Sequence, residues 1–276
     1  MTVQPSRLTK HLTELRAAGR KALVAYVTAS DPDVEQSVAV AVAAIDAGAD
    51  VLEIGVPFSD PVADGPVIQR AMLRALAQGG GFAQALQVAQ QVRAQRSAPL
   101  VLFGYLNPLL WLGLDESYRR ARAAGIDAVL VVDAPHDEAP EVHAGARAAG
   151  LDTIPIVAPT TDPARVRAIA REAGGFVYVV SMTGVTGGQL DTFDHLAPMV
   201  ATVREATRLS VCIGFGIRDA AAAARAAAVC DGVIVGSAIV EAVERGTVSG
   251  DVTAQVGRVV RELRAGVDTV RVGGSS

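Results

Sequence analysis

The sequence has little of what marks several common protein classes. Its two cysteines, Cys212 and Cys230, and its four histidines, His11, His136, His143 and His195, fall at no spacing that gathers thiols, imidazoles and acids around one ion. No metal site is expected. Both cysteines sit in apolar surroundings, SVCIGF and AAVCDG, and read as small buried hydrophobes in a reducing compartment, not as a disulfide. No apolar run reaches the ~18 residues of a membrane span, and the start, MTVQPSRLTKHLTEL, lacks the apolar core of a signal peptide. A cytoplasmic location without membrane attachment is the expectation. Net charge is only −4, with a pI near 5.6, so no general attraction draws the chain to nucleic acid or anionic lipid. Any bound anion must be held locally.

What the chain does have is core material. Half of its 276 residues are hydrophobic and a fifth are charged, which excludes extensive disorder. An Ala-Gly helix end followed by a β-rich run recurs as DAGADVLEIGVP, AAGIDAVLVVDAP, AAGLDTIPIVAP and, more loosely, EAGGFVYVVS. Each predicts a glycine C-cap feeding a strand. Further strands are expected at 22–28, 99–105, 210–216 and 232–238, giving eight. All are nearly continuous apolar runs, the pattern of parallel strands covered on both faces. Between them lie Ala-rich segments with apolar residues at three- and four-residue spacing, several opening on Asp or Ser as N-caps. Strict alternation, a length suited to eight units and no Gly-x-Gly-x-x-Gly turn after the first strand point to a closed (β/α)8 (TIM) barrel, α/β in class. One domain spanning 1–276 is expected, with an extra helix over 6–20 covering the barrel bottom and frayed ends at 1–5 and 272–276.

Barrel active sites are built from the loops at strand C-termini, and the two long ones here are 55–66 and 182–193. The first belongs to LEIGVPFSDPVADG, Leu52 to Gly65, which sets Glu53 inside an apolar strand and Asp64 eleven residues on, in a turn-rich loop. Burial raises a carboxyl's pKa and makes it a usable proton donor at neutral pH. Asp64, nearer solvent, is expected to stay ionised and to accept a hydrogen bond from a substrate N–H. Burial alone leaves a bland alternative open: Glu53 in a structural ion pair, with Asp60 and Asp64 merely making turns. Glycine-rich loops after strands six, seven and eight nominate Gly187, Gly216, Gly236 and Ser237 for a phosphate, which barrels often hold there. Tyr26, Phe103, Tyr105, Leu130 and Tyr178 lie near strand tops by alternation and are candidates for an apolar pocket, which the resemblance drawn below implies would hold a ring.

The carboxylate stretch, together with YVTASDP (26–32), YLNP (105–108), VVDAP (131–135), SMTGVTG (181–187), GFGI (214–217) and VGSAIV (235–240), resembles the tryptophan synthase α-subunit family over nearly the whole chain. The resemblance implies a lyase that cleaves indole-3-glycerol phosphate to indole and glyceraldehyde 3-phosphate by a retro-aldol reaction. It implies Glu53 as the acid-base, Asp64 as acceptor of the indole N–H, a Tyr178 hydroxyl beside the glutamate, and a lid over Met182 to Phe193 whose Thr186 engages Asp64. It implies no cofactor in this chain. The partner would be a pyridoxal-phosphate-dependent β subunit in an α-β-β-α heterotetramer for tryptophan biosynthesis, docking near Pro57, Asp60, Pro61 and the YLNP and VVDAP loops. Two departures stand out: Met182 and GQLDTFDHL where polar or basic residues are usual, and Ser30 where glycine is usual. An apolar Leu110-Trp111-Leu112 cluster reads equally as interface or as core. A free-standing indole-3-glycerol phosphate lyase, a non-catalytic barrel that activates a β-like partner, and a sugar-phosphate isomerase barrel are the competing readings.

Overall fold

The computed structural model describes residues 6–181 and 193–270. Its strands are β1 (Ala22–Thr28), β2 (Val51–Gly55), β3 (Leu100–Gly104), β4 (Ala128–Val131), β5 in two pieces (Asp152–Thr153 and Ile156–Val157), β6 (Phe176–Val180), β7 (Ser210–Gly214) and β8 (Gly232–Val235). All pairings are parallel, and β8 pairs with β1. The ring closes through β5. Its first piece pairs with β4 and its second with β6, because Pro155 has no N–H to continue the ladder and offers only its carbonyl, which accepts from Tyr178 N at 2.9 Å. The expected eight-stranded barrel is therefore the fold, with its fifth strand interrupted.

The glycines in the recurring Ala-Gly motif do what the pattern requires: Gly48, Gly125, Gly150 and Gly175 all have positive φ, the left-handed turn that lets a helix end and a strand begin. Ser6, Asp33, Asp162 and Asp219 cap the helices that follow them by accepting first-turn N–H bonds. The N-terminal helix α1 (Arg7–Ala17) buries Leu8, Leu12 and Leu15, and these join the inward-facing side chains of the strands in one core. Roughly 1.5–3 kcal/mol per leucine favours this plug over an open barrel bottom. A second core lies between sheet and helices.

Alternation decides which side chain points where. On β1, Ala22, Val24 and Tyr26 face the barrel interior while Leu23, Ala25 and Val27 face the helices. On β2, Val51 faces inward and Leu52 and Ile54 outward, so Glu53 faces inward as well.

Candidate active site

Glu53 is 1 % exposed and stands in register between Tyr26 on β1 and Val101 on β3. Among the described residues its Oε1 has no hydrogen-bond partner and the side chain forms no ion pair. That removes the structural ion pair as an account of this carboxyl. Burial with nothing to compensate an anion pushes its pKa from 4.5 to about 8, so the group holds its proton at neutral pH.

Asp64 is half-buried, at the end of the loop between β2 and α2 (Pro66–Ala77). Its Oδ2 accepts a 2.7 Å hydrogen bond from the Tyr105 hydroxyl, whose oxygen accepts from Ala63 N at 3.0 Å, and Phe58 packs on the Tyr105 ring at 5.1 Å. Burial raises the Asp64 pKa from 3.8 to about 6 and the Tyr105 hydrogen bond holds it from rising further. Asp64 is thus less solvated than its place in a turn-rich loop implies, though mostly ionised at pH 7. Two carboxyl groups at one site titrate on opposite sides of neutrality, an arrangement that divides acid from base.

Both line a cavity of about 380 Å³ at the C-terminal mouth of the barrel. Tyr26, Phe103 and Tyr178 line it too, with Ile68, Ile217 and Ile234 as further apolar wall. The Tyr26 and Phe103 rings meet edge to face at 5.3 Å. Gly216, Gly236 and Ser237 line it as well, Gly236 as N-cap of α3 (Ser237–Ser249). A helix N-terminus and free backbone amides there suit an anion. Of the expected ring-pocket residues, Tyr105 instead positions the Asp64 loop, and Leu130 lies buried in the barrel core outside the cavity lining. Gly187, Thr186 and the rest of the expected lid up to residue 192 lie outside the described residues.

Sequence reasoning missed two glycines. A Cβ on Gly55 would lie 2.1 Å from the Tyr26 hydroxyl oxygen, and one on Gly214 would lie 2.0 Å from that of Tyr178. Each tyrosine reaches over a neighbouring strand that has no side chain there, and this clearance lets both rings fill the barrel top. The signal was present in LEIGV and CIGFG, where a glycine interrupts an apolar strand. Ser30, where glycine is usual, has φ 63, its Oγ is buried without a partner, and its backbone N–H donates to Ser37 Oγ at 3.2 Å. The left-handed backbone is the reason glycine fits this position.

A barrel that encloses an uncompensated glutamic acid beside a half-buried aspartate has close relatives. The family model for the tryptophan synthase alpha chain matches residues 12–268. The chain belongs to the tryptophan synthase alpha chain family. It is 48 % identical to the tryptophan synthase alpha chain of Chromobacterium violaceum over 264 residues, 95 % of this chain and 99 % of that one. It is 45 % identical to that of Geobacter sulfurreducens over 262 residues, again 95 % and 99 %. Among solved structures, the tryptophan synthase subunit alpha of Legionella pneumophila superposes with a TM-score of 0.89 at 35 % identity, covering 97 % of this chain and all of the other. A tryptophan synthase structure from M. tuberculosis in an open form matches with a TM-score of 0.86 at 34 % identity, covering 96 % and 99 %. Trp111 is 88 % exposed, and Leu110, Leu112 and Val62 are also open to solvent. Of the residues implied for docking, Asp60 is exposed while Pro57 is buried. Among the described residues no helix is long and apolar enough to cross a membrane.

Proposed function

We infer that this chain is a lyase that cleaves indole-3-glycerol phosphate to indole and glyceraldehyde 3-phosphate, the α-subunit reaction of tryptophan biosynthesis. The observation that carries the reading is the unpartnered, protonated Glu53 facing a cavity it shares with an ionised Asp64. The bond to be broken joins the indole ring carbon to the glycerol chain. Glu53 gives its proton to that ring carbon, and positive charge then develops across the ring to the indole nitrogen. Asp64 accepts the N–H and stabilises that charge as a fixed anion. The Glu53 carboxylate, newly formed, takes the proton from the adjacent glycerol hydroxyl. The oxygen's electrons form the aldehyde, the carbon–carbon bond breaks, and its electrons return the ring to aromatic indole. Glu53 ends as it began, protonated.

Tyr26, Phe103 and the isoleucine wall hold the ring. Tyr178 sits in the same cavity with its hydroxyl held strongly protonated, first by burial and then by the charges of Glu53 and Asp64, so it serves as a neutral hydrogen-bond donor. Backbone amides at Gly216 and Gly236, with Ser237 and with Gly187, which lies outside the described residues, are assigned to the phosphate. Thr186, also outside the described residues, is assigned to Asp64.

Pyridoxal phosphate is assigned to a β-subunit partner, in an α-β-β-α complex in the cytoplasm. The exposed Trp111, Leu110 and Leu112 favour docking through that cluster. The test is indole release from indole-3-glycerol phosphate by purified chain, with and without a tryptophan synthase β subunit. Release that rises with β subunit is expected; no release in either case overturns the proposal.

A further inference from the structure

The cavity has an unusual charge balance. Among the described residues its lining carries three carboxyl side chains, Glu53, Asp64 and Glu241, and one cation, Arg218. With Glu53 protonated at neutral pH, a substrate phosphate dianion still meets Asp64 and Glu241 in this lining, and glycine amides supply only partial charges to offset them.

The backbone brings Arg218 to this place. After β7, Phe215 and Gly216 take φ 76 and φ 77 in succession, which for a phenylalanine is a strained conformation. That double left-handed turn carries the chain sharply around the cavity rim. Ile217 then turns back into the core, and Arg218 stays exposed on the rim between Gly216 and the Asp219 cap of the next helix.

Neighbouring acids are already engaged. Asp219 Oδ1 accepts from Ala222 N at 2.8 Å, and Glu241 lies 4.0 Å from Arg245 one helical turn along. Arg70 and Arg74, by contrast, are both tied to Glu244. Among the described residues Arg218 has neither an ion pair nor a side-chain hydrogen bond, so its guanidinium is available to a ligand.

Building on the function inferred above, we propose that Arg218 is a phosphate-binding residue that closes its planar fork on the substrate phosphate, in the cavity it shares with the α3 N-terminus. Guanidinium and phosphate match in geometry, two parallel N–H bonds to two oxygens, and lysine in the same place supplies charge without the fork. The residue thereby selects phosphorylated over unphosphorylated glycerol chains.

Wild type, Arg218→Gln and Arg218→Lys are compared in two measurements. The first is equilibrium titration with inorganic phosphate, which needs no turnover. The second is steady-state kinetics in both directions, with indole-3-glycerol phosphate and with indole plus glyceraldehyde 3-phosphate. In Arg218→Gln the Kd for phosphate and the KM for both phosphorylated substrates are expected to rise about tenfold, discounted for the exposed setting, while the KM for indole stays put and kcat changes less than about twofold. Arg218→Lys is expected to fall between. Equal phosphate affinity in wild type and Arg218→Gln, or no phosphate binding by either, overturns the proposal. A wild type that binds phosphate but fails to cleave the substrate overturns the inferred function instead, and the titration still decides the role of Arg218.

Discussion

Replacing Glu53 with Gln is expected to abolish turnover and, as pH rises, to make the protein more stable than wild type. In the fold this carboxyl keeps its proton up to about pH 8; unfolded, it loses it near 4.5. Between those values the folded state binds more protons than the unfolded one, so stability falls with rising pH by about 1.4 kcal/mol per unit and levels off above about 8. At pH 7 the accumulated loss is about 3 kcal/mol. Glutamine is neutral throughout, so Glu53→Gln removes the slope. Its own buried amide costs about 1–3 kcal/mol at every pH, an offset that the comparison across pH cancels. From pH 5.5 to 8.5 the variant should therefore gain about 3 kcal/mol on wild type in urea unfolding, or very roughly 6–12 °C in relative Tm. Cleavage should drop by roughly 10³-fold or more. A stability difference that is flat across this range refutes the reasoning, because it means that Glu53 is ionised in the fold already.

The pH profile of kcat/KM should be a bell, with an acid limb near 6 from protonation of Asp64 and an alkaline limb near 8 from ionisation of Glu53. Tyr105→Phe removes the hydrogen bond that holds the Asp64 pKa down, so the acid limb should move to higher pH; an unmoved limb assigns it to another group. Asp64→Asn should lose roughly 10²–10³ in kcat with the fold intact by circular dichroism, and normal turnover would remove it from the mechanism. Trp111 is the only tryptophan, so its emission should shift to the blue when a β subunit binds, and Trp111→Ala should leave isolated cleavage unchanged while weakening the stimulation. Arg74 makes paired 2.8 Å bonds to the buried Asp31, so Arg74→Met should destabilise by roughly 3 kcal/mol in urea, and adding Asp31→Asn should recover much of it.

The strands and the glycine turns were legible because parallel barrel strands are continuous apolar runs and helix ends need a left-handed residue. The break in β5 was written as Ile154-Pro155-Ile156 but reads as a strand until one asks where the missing N–H would have gone. At the site, the inward direction of Glu53 follows from alternation, whereas the lack of a partner for its Oε1 among the described residues depends on every surrounding element. Asp64 shows the limit most clearly. Its loop composition argues for solvent, but Tyr105, forty-one residues away in sequence, folds over it and changes its proton affinity. Tyr105 and Leu130 share the strand-top position of Phe103 in the sequence pattern, and only the packing separates the one that lines the cavity from the two that do not. Arg218 passed unnoticed because an exposed arginine before a helix cap looks like any solvated charge until the acids around it are found to be occupied.

Everything in this mechanism depends on Glu53 carrying a proton at neutral pH. The infrared difference spectrum between wild type and Glu53→Gln reads that proton directly. The expected result is a protonated-carboxyl carbonyl band at pH 7 that gives way to carboxylate bands around pH 8. Carboxylate bands alone at pH 7 contradict the account.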